Sequence, residues 1–131
     1  MKVVTRAILV QGDKVFIGKR AGGYGAGQWA LIGGKPDEGE SPADAIRREV
    51  REEIGVEFDP VLFSDMVSDP ADYGGSEPWR VYVFAGPFRG TPNLNTVEIT
   101  DVALVGPNDL DGYDIAFDHR DVLKEFFSRR A

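Results

Sequence analysis

The chain contains no cysteine, so neither disulfides nor thiolate chemistry can operate in it. It has one histidine, His119, and with no second histidine or cysteine to join it a zinc site is excluded. A lone histidine at a helix start reads as structural or exposed, not catalytic. No apolar run approaches the roughly 18 residues needed to cross a bilayer. The first ten residues are too short and too interrupted by polar side chains for a secretory signal, so a cytoplasmic location is expected. Positive charge is scarce, with 15 Lys and Arg against 22 Asp and Glu and a net charge of −7. That argues against a nucleic-acid polymer as partner. It does not argue against a small nucleotide, which arrives with its own cation. There is no internal repeat, low-complexity tract or linker, and residues 1–131 read as one domain long enough to bury a core.

What is present is a regular alternation of elements. Residues 3–10 and 14–19 are apolar and β-branched around Gln11-Gly12-Asp13, the pattern of a hairpin. Residues 29–32, 60–67, 79–87 and 96–105 read as further strands. Residues 68–78 are polar and hold Gly and Pro, which predicts a loop, and 90–95 a turn. On the strand at 79–87, Trp79, Tyr82 and Phe84 read as core or groove lining. Asp118 can cap a last helix whose inner face carries Val122, Leu123, Phe126 and Phe127.

The most informative stretch is 34–56, GKPDEGESPADAIRREVREEIGV. Ser41 followed by Pro42 starts a helix, with Asp44 completing a short-armed capping box, and Gly55 stops it. At about 100° per residue from Ile46, Val50, Ala43 and Ile54 fall within about 80° and form the buried stripe. Glu53, Glu49 and Glu52 take one neighbouring arc, from about 340° to 240°, and Arg47, Arg51 and Arg48 the far side. Glu49 faces Glu53 and Glu52 at like-charge spacings that cost roughly 0.2–0.5 kcal/mol per pair. Glu52 and Glu53 also stand in the last turn, where the helix dipole disfavours anions. Glu53 borders the apolar stripe and is expected to be partly exposed. Arg48 is spaced to pair with Glu52. A solvated acidic face is one account of the cluster. The other is a divalent cation, since hard cations take carboxylate oxygens and keep their remaining positions for water and phosphate.

Over a longer window the pattern becomes specific: Gly34, five residues, Glu40, seven residues, then Arg48-Glu49-Val50-Arg51-Glu52-Glu53-Ile54-Gly55-Val56. Every fixed position resembles the Nudix box of diphosphate hydrolases. The stretch 19–56, with Trp29 upstream and Gly33-Gly34-Lys35, looks most like the MutT-type nucleoside triphosphate pyrophosphohydrolases. Ile32 stands where many relatives have proline, a departure that alters loop stiffness and removes no ligand. The segment Ala116-Phe117-Asp118-His119 resembles one in Nudix proteins assigned to ADP-ribose and related compounds.

The resemblance implies an α/β Nudix fold, a mixed sheet sandwiched between helices. It implies a Mg²⁺ (or Mn²⁺) site built from Glu49, Glu52, Glu53 and the Gly33 carbonyl. Arg48 would orient Glu52, and Glu40 would brace the loop or contact the metal from outside. Gly34 and Gly55 would be structural positions of the motif. Glu98 aligns with an extra carboxylate that binds metal or serves as base in some relatives; a surface strand residue is its other reading. The proton acceptor would be Glu52, Glu53 or Glu98. Arg20 and Lys35 are candidates for phosphate contact, with solubilising surface charge as the alternative. Residues 21–27 are not a P-loop, for they lack the terminal Gly-Lys-Ser/Thr and no helix follows. Tyr24 in that loop and Phe117 before the last helix are candidates for the nucleobase side of a pocket. The expected reaction is hydrolysis of a diphosphate joined to a group X. A triphosphate is the first candidate substrate, ADP-ribose or a nucleotide sugar the second, and a non-catalytic nucleotide sensor the third. A homodimer is possible in such a protein.

Overall fold

The computed structural model describes residues 1–130. In chain order the elements are β1 (Lys2–Gln11), β2 (Lys14–Arg20), β3 (Trp29–Ala30), β4 (Ile32–Gly34), α1 (Pro42–Ile54), β5 (Glu57–Phe58), β6 (Val61–Val67), β7 (Trp79–Arg89), β8 (Ile99–Val105) and α2 (His119–Arg130). Short 3-10 turns occupy Pro70–Tyr73 and Leu110–Gly112.

β1 is the organising strand. Six consecutive residues, Val4 to Leu9, are buried, so both of its faces are covered, as in sheets enclosed by helices. Val4 and Ile8 face a core shared with Leu31, Val83, Val122, Leu123 and Phe126, under α2. Ala7 and Leu9 face a second core with Ile32, Ile46, Val50 and Ile54, under α1. The result is the expected mixed sheet between two helices. It is mixed because β1 runs parallel to β7 while its other neighbours are antiparallel. The buried stripe of α1 is Ala45, Ile46, Val50 and Ile54, close to the spacing read from the sequence. Ile46, Val50 and Ile54 each contribute about 1.5–3 kcal/mol by leaving water, and truncating Ile46 to Ala should cost about 2–5 kcal/mol.

The sheet forks where it matters. β1 pairs with β2 only beside the hairpin, at Val10↔Val15 and Gln11↔Lys14. Further back it pairs with β4, at Thr5↔Gly34, Arg6↔Gly33 and Ala7↔Ile32. β2 leaves β1 to pair with β8 and β3. A cleft opens in that fork.

Several boundaries differ from the expectation for physical reasons. The strand expected at 29–32 is two, broken at Leu31, because β3 pairs with β2 and β4 with β1. The strand expected from residue 96 begins at Ile99, leaving Glu98 in the preceding segment. The loop at 68–78 contains a 3-10 turn, started by the Asp69 side chain accepting from the Ala71 N–H at 3.0 Å, ahead of Pro70. No helix among the described residues is long and apolar enough to cross a membrane.

Candidate active site

α1 is built as its capping residues dictate. The Ser41 hydroxyl accepts from the Asp44 N–H at 3.1 Å, Pro42 occupies the first turn, and Gly55 closes the helix in the left-handed region at φ 71. The last carbonyls, orphaned in any helix, are taken up by a distant segment: the Asn93 N–H donates to Ile54 O and the Asn95 N–H to Glu53 O, both at 2.9 Å. These bonds lay the chain before β8 across the end of α1. The Ala21 N–H, bonded to Glu98 O at 2.9 Å, anchors its other side. Glu98 is thereby brought against Glu53.

Glu53 is 5 % exposed, more buried than its position beside the stripe suggested, and its Oε2 has no hydrogen-bond partner. Burial first, then the charges of Glu49 and Glu98, pushes its carboxyl up to about 8. Burial also raises Glu49, against the opposing pull of Arg48. Arg48 is the hub of the neighbouring network. It donates to both oxygens of Glu40 at 2.9 Å, to Glu49 at 3.0 Å, to Glu52 at 3.1 Å and to the Lys35 carbonyl at 3.2 Å. The bonds to Glu40 and Glu49 hold its guanidinium firmly charged. Arg48 therefore does more than orient Glu52; Glu40 is its principal partner, and Arg48 in turn holds the Glu40 carboxyl below its ordinary range.

The two glycines after Ile32 have separate causes. A Cβ on Gly33 would collide with the Thr5 carbonyl across the β1–β4 pairing, and one on Gly34 would lie 2.5 Å from the Glu49 carboxyl carbon. Gly34 thus admits Glu49 to the edge of the cleft. The Gly34 carbonyl accepts from the Thr5 hydroxyl at 2.9 Å.

The cleft has a volume of about 700 Å³. Of the residues singled out in the sequence, it is lined by Arg20, Tyr24, Gly33, Gly34, Lys35, Glu53, Glu98 and Phe117. Glu49, Glu52, Arg48, Glu40 and Gly55 are not among its walls. Among the described residues no three acidic or histidine side chains converge into a ready cation cage. The donor set nevertheless suits a hard dication: carboxylate oxygens held near one another, one of them buried and unpaired.

The far wall is aromatic and cationic. Tyr73 stacks on Phe117 at 4.6 Å and 11°. The Arg20 guanidinium lies 4.9 Å from the same ring centroid, and that of Arg6 5.5 Å. Phe117 holds φ 59, the single non-glycine residue in the left-handed region among those described. Tyr24 is exposed; its ring rests on Gly74 and lies 6.1 Å from Phe117. Lys35 Nζ sits 5.1 Å over the Trp79 ring at the rim. His119 is buried and structural: its Nδ1 accepts from the Leu31 N–H at 3.0 Å, at the break between β3 and β4. Burial, then Arg6 and Arg20, keeps it neutral. Trp79, read from the sequence as core or groove lining, does line the cleft, whereas the lining residues Arg6 and Tyr73 were not assigned a role from the sequence. Arg6 had a signal, a charge in the interior of β1 among buried, mostly apolar residues.

A forked mixed sheet between two helices, with a carboxylate-bearing helix end facing a cationic cleft, is an architecture suited to phosphate chemistry. The NUDIX domain family profile matches residues 1–126, and the chain belongs to that family as a Nudix hydrolase. It is 35% identical to the nucleoside triphosphatase NudI of Escherichia coli, over 75% of each chain. In structure it is similar to the MutT NUDIX hydrolase from Burkholderia pseudomallei, with a TM-score of 0.84, 25% identity and coverage of 94% of this chain and 95% of the other. The NUDIX domain of Shewanella oneidensis NrtR, determined in complex with ADP ribose, shares the fold with a TM-score of 0.79 at 20% identity, over 99% and 86% of the two chains. Nudix hydrolases generally need divalent metal ions.

Proposed function

We propose that the chain, acting as one Nudix unit over residues 1–131, hydrolyses nucleoside triphosphates to a nucleoside monophosphate and pyrophosphate. The observation that carries this reading is the charge of the cleft, whose lining brings buried Glu53 and its neighbour Glu98 together with Arg6, Arg20 and Lys35. Such a lining suits a chain of phosphates that arrives with a cation. Glu49, Glu52, Glu53 and the Gly33 carbonyl would hold Mg²⁺ or Mn²⁺. Such an ion neutralises phosphate charge and lowers the pKa of an attacking water.

The protein's own contribution is positioning and electrostatics, which is most of what phosphoryl transfer needs. Arg48 holds Glu49 and Glu52 in place by hydrogen bonds to both. Arg20 and Lys35 meet the phosphates. One of Glu52, Glu53 and Glu98 accepts the proton of the attacking water. Tyr24 and Phe117 stand where the nucleoside or X would lie.

A second reading, hydrolysis of ADP-ribose or a nucleotide sugar, is favoured by Phe117 within the segment Ala116-Phe117-Asp118-His119 and by the likeness to an ADP-ribose-bound Nudix domain. Assay of a panel of nucleoside triphosphates, ADP-ribose and nucleotide sugars with Mg²⁺, scored by product, separates the two. Pyrophosphate from a triphosphate supports the first, and AMP with ribose phosphate the second. Binding without product from every compound would make the chain a sensor, and full turnover in excess EDTA would refute the metal role.

A further inference from the structure

Arg6 is the least explained charge in the molecule. Its side chain is on the α2 face of β1, between Val4 and Ile8, and only 7 % of the residue is exposed. Its Nε is buried without a hydrogen-bond partner. No carboxylate lies within salt-bridge distance of it among the described residues. The Tyr73 hydroxyl is a polar neighbour, itself 3.4 Å from His119 Nε2 and from Asp118 Oδ1, and the Glu53 carboxyl acts on Arg6 from beyond salt-bridge distance. A neutral hydroxyl does not offset the desolvation of a guanidinium.

Arg20 compounds the imbalance. Its Nε donates to the Tyr24 carbonyl at 3.1 Å, and its head shares the Phe117 ring with Arg6. Burial and then the nearby Arg6 charge disfavour its charged form. Two guanidiniums therefore crowd one aromatic ring in a cleft, and both line its wall. A carbonyl acceptor on a nucleobase would complete a hydrogen bond but leave the charge uncompensated. An anion answers both deficits, and phosphate matches the donor fork of arginine. The rings on this wall are already engaged. Phe117 carries Tyr73 and the arginines, and Trp79 carries Lys35 and Lys2. Arg6 lines the cleft with its buried Nε left without a partner.

We infer that Arg6, together with Arg20, forms a second anion subsite that receives a phosphate group of X beyond the scissile linkage, and so selects triphosphates over diphosphates whose X is a neutral sugar. This rests on the triphosphatase reading, and its test has an arm that does not. Inorganic phosphate, titrated in EDTA so that no cation can recruit it, should raise the melting temperature of the wild-type chain and not that of Arg6→Gln. Arg6→Lys, which keeps the charge, should retain most of the effect. In steady-state assays Arg6→Gln should raise KM for a nucleoside triphosphate by about tenfold with a smaller change in kcat, the loss of one charge-assisted contact. The KM of a nucleotide sugar, or its inhibition constant where it is not turned over, should stay within about twofold.

Phosphate that protects wild type and Arg6→Gln equally, or a triphosphate KM that does not move, overturns the subsite. So does an equal rise for both substrate classes, or a loss that varies with the nucleobase at constant X. A wild-type chain that hydrolyses no triphosphate defeats the proposed function instead, while the phosphate titration still decides the subsite.

Discussion

Arg48 and Arg6 stand at the two ends of Gly33-Gly34-Lys35 and live in opposite surroundings. Arg48 donates to three carboxylates and to the Lys35 carbonyl. Arg6, paired through its backbone with Gly33, is more deeply buried and has no carboxylate within salt-bridge distance among the described residues, Glu53 acting on it only from further off. The first arginine is consumed by the protein; it arranges acids. The second is left unsatisfied, and a buried charge without a partner costs stability unless a ligand completes it. The difference separates a framework residue from one available for binding, though both carry the same side chain.

The sharpest test of the acidic end is Glu53→Gln. It keeps the shape and removes an ionisable group from the centre of the cluster, so turnover should fall by about 10²–10⁴-fold. The melting temperature in EDTA should hold or rise, because the carboxylate is held where its charge is unwelcome. Full turnover in that variant would break the assignment of chemistry to this end.

The two arginines should then part company in stability. Arg48→Ala frees Glu40, Glu49 and Glu52 to repel one another and should lower the melting temperature of the metal-free chain by on the order of 5 °C. Arg6→Gln should leave it unchanged or higher. Equal losses by differential scanning fluorimetry would erase the contrast between them.

The smallest effect is in pH. Glu53 has an ordinary value of 4.5 and is pushed up to about 8 in the fold, by burial first and then by Glu49 and Glu98. The unfolded chain therefore releases this proton at a lower pH than the metal-free native state does. The contribution is fully present below about 4.5 and is lost as pH rises through about 8. Melting temperatures in EDTA should decline across that window, and the decline should be shallower in Glu53→Gln. Addition of Mg²⁺ near neutral pH should release protons, detectable with an indicator dye; no release would mean that Glu53 is not the group the ion displaces a proton from.

How much could be read in advance followed from distance along the chain. α1, its cap at Ser41, its stop at Gly55 and the arc of Glu49, Glu52 and Glu53 are set by 3.6-residue periodicity and by neighbours within one turn. Arg48 finds all its partners between residues 35 and 52, so its role was visible in the same window, although Glu40 outranks the Glu52 that spacing alone favoured. The depth of Glu53 was not visible, because it is a matter of tertiary packing: even the groups that bond the helix end, the Asn93 and Asn95 N–H, come from about forty residues away.

The sequence by itself determined the family, the acidic helix and the alternation of strands that makes a sheet covered on both faces, since each is written in local period and spacing. Tertiary structure alone decided what the cleft holds. The fork between β1 and β2 brings residues 6, 20, 73, 98 and 117 to one cleft, and strand pairing between distant segments has no signature in any single window. A charge in an apolar strand can be noticed in the letters; that it has no partner is a fact about everything folded around it.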